Sequence, residues 1–254
     1  MSADSTLSIV LVYPELLGLY GDRGNALTLL HGAHLRGIDA RLVQVDAGTS
    51  VPEQGDVYLI GGGEDAPMLV AGELLARQPA LVRALERGTS CLAVCAGFQL
   101  LSEEYAGPDG VRRAGLGVLD VRCGRLAGRR AVGEVLCEPI GHPWGWITGF
   151  ENHQGDAVLG PGAAPLARVV SGVGNGHDRQ EGAISGGVLA TYLHGPVLAR
   201  NPALADHLLA RAVGTEALAP LAEPAVERLR RERIRAHGWR RLRRPRLAPW
   251  PSTR

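Results

Sequence analysis

The chain begins its pattern with an uninterrupted apolar run. Leu7–Tyr13, LSIVLVY, is rich in β-branched residues, as expected of a central parallel strand buried on both faces. A glycine-rich turn, PELLGLYGDRGN, follows, then a helical stretch to about Leu35. Ala40–Val45, Asp56–Ile60 and Ser90–Val94 read as three further strands. Residues 68–87 predict one or two amphipathic helices, with Pro79 starting the second. CAGFQLL, directly after Val94, reads as a helix start. Strand alternating with helix predicts a mostly parallel α/β sheet with helices on both faces. Right-handed crossovers then gather the strand C-termini along one edge. The loops at that edge are YGDRGN, GGGED and CAG.

From about Leu116 the period changes. GLGVLDVRCGRL and RAVGEVLCEPI alternate and are joined by AGRR, which predicts antiparallel strands across a turn. GFENHQGD reads as a turn-rich loop. PLARVVSG and GVLATYLHG read as strands, separated by the loop GVGNGHDRQEGA, and a helix is predicted over roughly Pro202–Val213. A last helix reaches about His237, where Gly238, Pro245, Pro249 and Pro251 favour an irregular end. The division expected is a domain over residues 1–215 and a basic, partly helical extension over 216–254.

Composition and charge narrow the function classes. Aromatic residues are 4% of 254, so the core rests on Leu, Val, Ile and Ala. All 27 basic residues are arginine; without lysine there is neither a Walker A lysine nor a Schiff-base lysine. Residues 223–254 hold 11 Arg against 3 Glu, so an acidic body carries a basic end. No run is long enough to span a bilayer, and the N-terminus has no signal-peptide pattern, which predicts a cytoplasmic protein. The four cysteines form no CxxC pair; neither a disulfide framework nor a metal site is expected.

The strongest local chemistry is Ala93-Val94-Cys95-Ala96-Gly97 after a buried strand. A nucleophile on a sharp strand-to-helix turn needs small residues at minus two and plus two, and Ala93 and Gly97 meet that need. The helix N-terminus favours an anion there, and the Ala96 N–H is one natural oxyanion donor. The plain alternative is a buried structural cysteine, the reading adopted for Cys91, Cys123 and Cys137. A thiolate needs a base, and His194, ending VLATYLH, could share the edge with Cys95. His153 is the other histidine at a plausible strand end. Gly61-Gly62-Gly63 lets backbone approach a substrate, and Gly62 is the expected second oxyanion donor.

In chain order, LYGDRGN, IGGGED, CAGFQLL, GLGVLD, GFENHQG, GNGHDRQEG and TYLHGPVL cover about residues 7–213. Together they resemble the CobB/CobQ-type class I glutamine amidotransferases, above all the glutaminase subunits of lipid II isoglutaminyl synthases. The resemblance implies a flavodoxin-like glutaminase fold with an antiparallel extension. It implies attack by Cys95 on the glutamine side-chain amide, His194 as base and then acid, and Gly62 and Ala96 as oxyanion donors. An arginine in R-x-x-G-E would bind glutamine; this is Arg130, with Arg129 the adjacent alternative. Glu151, Asn152 and His153 could orient substrate or hold their loop. No cofactor is implied in this chain. ATP and Mg are expected on a Mur-ligase-like partner in a heterodimer, which would amidate the D-glutamate α-carboxylate of lipid II. That substrate suggests the inner face of the membrane, with peripheral contact through the basic end. One departure stands out: His194-Gly195-Pro196 replaces the His-x-Glu of other class I members, so the group orienting His194 is open, with Asp22 one carboxylate to consider. A cobyrinic or cobyric acid-type amidotransferase and a Cys–His hydrolase of related fold are the alternatives. A nucleic-acid binder would leave the CAG, GGG and LHG constellation unexplained.

Overall fold

A computed structural model describes residues 6–242, with side chains as far as His237. The irregular end expected around Pro245, Pro249 and Pro251 lies outside the described residues, as does the last part, 243–254, of the arginine-rich segment for which membrane contact is expected. In chain order the first half comprises β1 (Leu7–Val12), α1 (Arg23–His34), β2 (Ala40–Val45), β3 (Val57–Ile60), α2 (Asp65–Leu75), α3 (Pro79–Glu86), β4 (Ser90–Val94) and α4 (Ala96–Leu101). The second half is dominated by strands: β5 (Glu104–Ala106), β6 (Arg112–Ala114), β7 (Val121–Arg125), β8 (Ala131–Pro139), β9 (Ile147–His153), β10 (Gly155–Leu159), β11 (Ala167–Ser171), β12 (Gln180–Glu181), β13 (Ala183–Ser185), β14 (Val188–Thr191) and β15 (Leu193–His194). Three helices close the chain, α5 (Val197–Arg200), α6 (Pro202–Val213) and α7 (Pro224–Leu242).

The central sheet runs β13-β14-β4-β3-β1-β2, parallel throughout except for the edge strand β13. Every residue of β1, β3, β4 and β14 is buried, which matches the continuous apolar runs read from the sequence. α1 packs on β1 and β2 and against α6, which reaches β3 and β4; α4 packs on β4, β3 and β14 and against α2. Taken from β2, the parallel order is 2-1-3-4 and then β14, the doubly wound order whose switch point lies between β1 and β3. Ligands in such sheets bind beyond the strand C-termini at the switch point. The loops that leave β1, β3 and β4 there carry Asp22, Gly61–Gly63 and Cys95.

The second half departs from the sequence reading in two places. β7 and β8 do not pair across AGRR: β7 lies in a four-stranded sheet, β10-β7-β5-β6, and β8 in a five-stranded one, β12-β11-β8-β9-β15. Both have antiparallel partners, but the connection crosses between sheets. GFENHQGD is not a loop. Its residues supply the end of β9 and the start of β10, and β9 is paired on both edges, to β8 and β15. Its polar side chains are tolerated in a buried strand because they are bonded: the Glu151 carboxylate accepts the Val173 and Gly174 N–H groups, and His153 Nδ1 lies 2.7 Å from Gly155 O. The strand ending at His194 is also broken. β14 stops at Thr191 in the central sheet, and after Tyr192 the chain re-pairs with β9. α7 continues past Gly238 to Leu242 and packs on α5 and β9.

Candidate active site

Cys95 stands between β4 and α4 at φ 51°, ψ −100°, a backbone conformation that side-chain-bearing residues rarely adopt. Its N–H donates to Thr191 O at 2.8 Å and Gln99 N–H donates to its carbonyl, so the strained turn is held from both sides. The small neighbours are required as expected. Ala93 is fully buried, and a Cβ on Gly97 would come 2.4 Å from Ile60 O. The three other thiols sit in the interior, where burial pushes Cys91 and Cys137 well up and Cys123 up to about 12.

His194 reaches the same edge through the switch from β14 to β15. It is 1% exposed and Asp22 2%. His194 Nδ1 lies 3.1 Å from Asp22 Oδ2 and 3.3 Å from Oδ1. Donation from Nδ1–H to the carboxylate fixes the tautomer and leaves Nε2, which has no other hydrogen-bond partner, for the thiol side. Burial, the largest influence on the ring, opposes its charge. The hydrogen bonds and charges of Asp22 and Cys95 outweigh it and push the His194 pKa up to about 9. At neutral pH the site therefore favours an imidazolium beside the sulfur.

Asp22 occupies the N-cap position of α1, where aspartate usually accepts a helix N–H, yet its side chain makes no cap bond. It accepts the Gly62 N–H at 2.8 Å instead. Gly62, the second oxyanion donor expected from the sequence, is therefore engaged in this structure. The amide assigned to an oxyanion is already donated to Asp22, because the turn before α1 grips the loop after β3 from two sides, with Leu19 N–H bonded to Gly62 O. Ala96 is the first residue of α4, so its N–H has no acceptor within its own helix and remains suited to an oxyanion.

Arg130 immediately precedes β8 and is exposed. Its guanidinium donates to the Asn152 side-chain oxygen and, at 2.9 Å, to Asn152 O. Asn152 Nδ2–H donates to the Tyr20 hydroxyl at 2.7 Å, and the Tyr20 ring lies 4.9 Å from the His194 ring. Arg130 is thus connected to the mouth of the site, and Arg129 takes no part in this chain of contacts. Glu151 and His153 are buried structural groups: the first holds the 173–174 backbone, and the second stacks on Tyr192 at 4.0 Å. Sequence reasoning missed Tyr20, although it falls inside LYGDRGN. Its signal was an aromatic residue between two glycines, and it adopts φ 56° there. It also missed Arg200, whose ion pair with Glu134 backs Gly195, the residue after His194.

A nucleophile elbow, a carboxylate-held histidine and a glycine loop at the switch point are what amide-hydrolysing chemistry needs. A family model described as the CobB/CobQ-like glutamine amidotransferase domain matches residues 8–202. The chain belongs to this family. It is a glutamine amidotransferase with the fold of that class, mixed α/β on a mostly parallel sheet. Among its relatives is the lipid II isoglutaminyl synthase (glutamine-hydrolyzing) subunit GatD of Staphylococcus aureus (strain N315), 34% identical over 81% of this chain and 84% of the relative. The protein of the same name from Streptococcus pneumoniae (strain ATCC BAA-255 / R6) is 32% identical over 87% of this chain and 86% of the relative. A crystal structure described as a glutamine amidotransferase superposes with a TM-score of 0.54 at 23% identity, covering 80% of this chain and 98% of the other, and supports the fold.

Proposed function

We propose that this chain is the glutaminase subunit of a lipid II isoglutaminyl synthase. The observation that carries the chemistry is Cys95 on its strained elbow at the edge where Asp22 holds His194; the two relatives, similar over most of both chains, supply the substrate class. Cys95 attacks the side-chain amide carbon of glutamine as thiolate. The carbonyl electrons move to oxygen, where the Ala96 N–H receives them. As the C–N bond breaks, His194 passes its proton to the leaving nitrogen, and ammonia departs from a thioester. Water then loses a proton to His194 and adds to the thioester; glutamate leaves and the thiolate returns. Arg130 receives the glutamine α-carboxylate, for which a planar guanidinium is suited.

The ammonia goes to a Mur-ligase-like partner subunit in a heterodimer, which holds ATP and Mg and activates the D-glutamate α-carboxylate of the peptidoglycan stem. We place the pair in the cytoplasm, at the inner face of the membrane that carries lipid II. Among the described residues of this chain, no helix is long and apolar enough to cross a membrane. The test is ammonia release from glutamine, with and without the ligase, for wild type, Cys95→Ala and His194→Ala. Both variants are expected to fall to background. Equal rates for wild type and Cys95→Ala would overturn the mechanism, and ammonia release without amidation of lipid II by the pair would overturn the substrate.

A further inference from the structure

We infer that Asp22 is a positioning residue for glutamine hydrolysis, one carboxylate that orients His194 and at the same time holds the Gly62 amide. The inference rests on the glutaminase reading and adds to it the group that the His194-Gly195-Pro196 segment does not supply. Three observations carry it. Asp22 stands at a helix N-cap but makes no cap bond. Its carboxylate is buried and shared between His194 Nδ1 and Gly62 N–H, with Oδ2 3.1 Å from the first and 2.8 Å from the second. Burying a carboxylate is costly unless it is paired and hydrogen-bonded, and these two partners compensate it. The titratable groups facing the His194 ring are Asp22 from the start of α1, Cys95 from the β4–α4 turn and Tyr20 from the turn before α1. Asp22 is the anion among them that does not react.

Two consequences follow. Asp22 fixes the His194 tautomer with Nε2 toward the sulfur, and its charge supports the imidazolium that the thiolate needs. It also keeps the Gly62 N–H from any oxyanion for as long as the 2.8 Å bond lasts. A second oxyanion donor is gained only when the Gly62 peptide exchanges Asp22 for the substrate oxygen.

The inference is tested on the chain together with its ATP-dependent ligase. Glutamine hydrolysis is measured for wild type, Asp22→Asn and, as blank, Cys95→Ala. In parallel, the alkylation of Cys95 by iodoacetamide is followed across pH by peptide mass spectrometry. Alkylation needs the thiolate but no oxyanion donor, so it isolates the His194 arm. Asp22→Asn is expected to lower kcat on the order of 10²-fold, with KM for glutamine within about twofold because Arg130 is untouched. Its alkylation at pH 7 is expected to slow and the midpoint to move upward, since the imidazolium has lost its anion. A wild-type kcat and an unchanged alkylation profile would overturn the inference, and so would a lowered melting temperature with both of those unchanged. Should Asp22→Asn not fold, the His194 ring is titrated by nitrogen NMR in the Cys95→Ala chain, where no thiolate contributes and Asp22 is the remaining anion beside the ring. A pKa well above the ordinary value of about 6.5 supports the inference, and an ordinary one overturns it. If wild type releases no more ammonia than Cys95→Ala, the glutaminase reading fails instead, and the two failures are distinguishable.

Discussion

Gly62 has no room for a side chain. A Cβ there would stand 2.7 Å from His194 Cε1, 3.0 Å from Asp22 Oδ2 and 3.5 Å from Cys95 Cβ. Gly62→Ala is therefore expected to displace the imidazole or the glycine loop and to reduce kcat by about 10²-fold or more. Its melting temperature should stay near wild type, because His194 can give way where packed backbone cannot. Steady-state ammonia release beside a thermal melt checks both halves; full activity would mean that the loop does not abut the reacting groups. At this scale the site was legible where chemistry dictates local sequence. The elbow demands small residues around Cys95, and they stand together in five positions. Asp22 and His194 are 172 residues apart, and nothing local marks their contact. The Gly62 amide was assigned to the oxyanion because a glycine loop allows that role, and only the fold shows Asp22 already accepting it.

Strands β8 and β9 connect the proposed substrate arginine to the reacting groups. Arg130 adjoins β8, where Val132 pairs with Asn152 of β9, and Asn152 passes the contact to Tyr20. Arg130→Ala removes a charge-assisted bond to the α-carboxylate, worth about 1.5–3 kcal/mol, so kcat/KM for glutamine should fall about 10- to 100-fold, chiefly through KM. Asn152→Ala leaves the charge and the bond to the residue 152 carbonyl but removes the side-chain anchor and the link to Tyr20, and a smaller loss in the same parameter is expected. A fall confined to kcat in Arg130→Ala would remove Arg130 from substrate binding. The same element shows why the second half of the sequence was misread. In β1, β3 and β4 burial on both faces leaves an apolar run that announces a strand. In β9 the buried positions Glu151 and His153 are polar and bonded to backbone, Glu151 through its carboxylate and His153 through Nδ1, so hydropathy signals a loop where pairing makes a strand.

Across the whole molecule, the switch of the chain from the central sheet to β15 depends on one buried acid. Glu181 Oε1 accepts the Thr191 hydroxyl and the Tyr192 N–H, both at 2.8 Å, where β14 ends and the His194 segment begins. Its other oxygen is buried without a hydrogen bond. Burial, above all, pushes its pKa up to about 7, against the lowering effect of Thr191 and Tyr192; Glu151 adds to the rise. Unfolded, the same carboxyl releases its proton near 4.5. Between those values the folded chain binds more protons than the unfolded chain, so stability is fully present below about pH 4.5 and declines as pH rises through 7. His194, also raised, acts in the same direction, and its share is lost as pH passes about 9. The lowered acids Glu53 and Asp109 act oppositely, losing their contribution only as pH falls below the ordinary carboxylate range. A comparison of pH 5 with pH 8 spans the Glu181 titration; His207, which burial above all lowers, acts oppositely in the same window, and its share cancels when Glu181→Gln is set against wild type. Glu181→Gln keeps an oxygen for Thr191 and Tyr192 and removes the ionisation. It should melt close to wild type at pH 5 and higher than wild type at pH 8, by several degrees for a gain on the order of 1–3 kcal/mol. Thermal melts of both proteins at the two pH values decide it. A parallel shift at both would mean that Glu181 does not titrate in this range, and a lower melting temperature at pH 8 would mean that the ionised carboxylate is the form the switch requires.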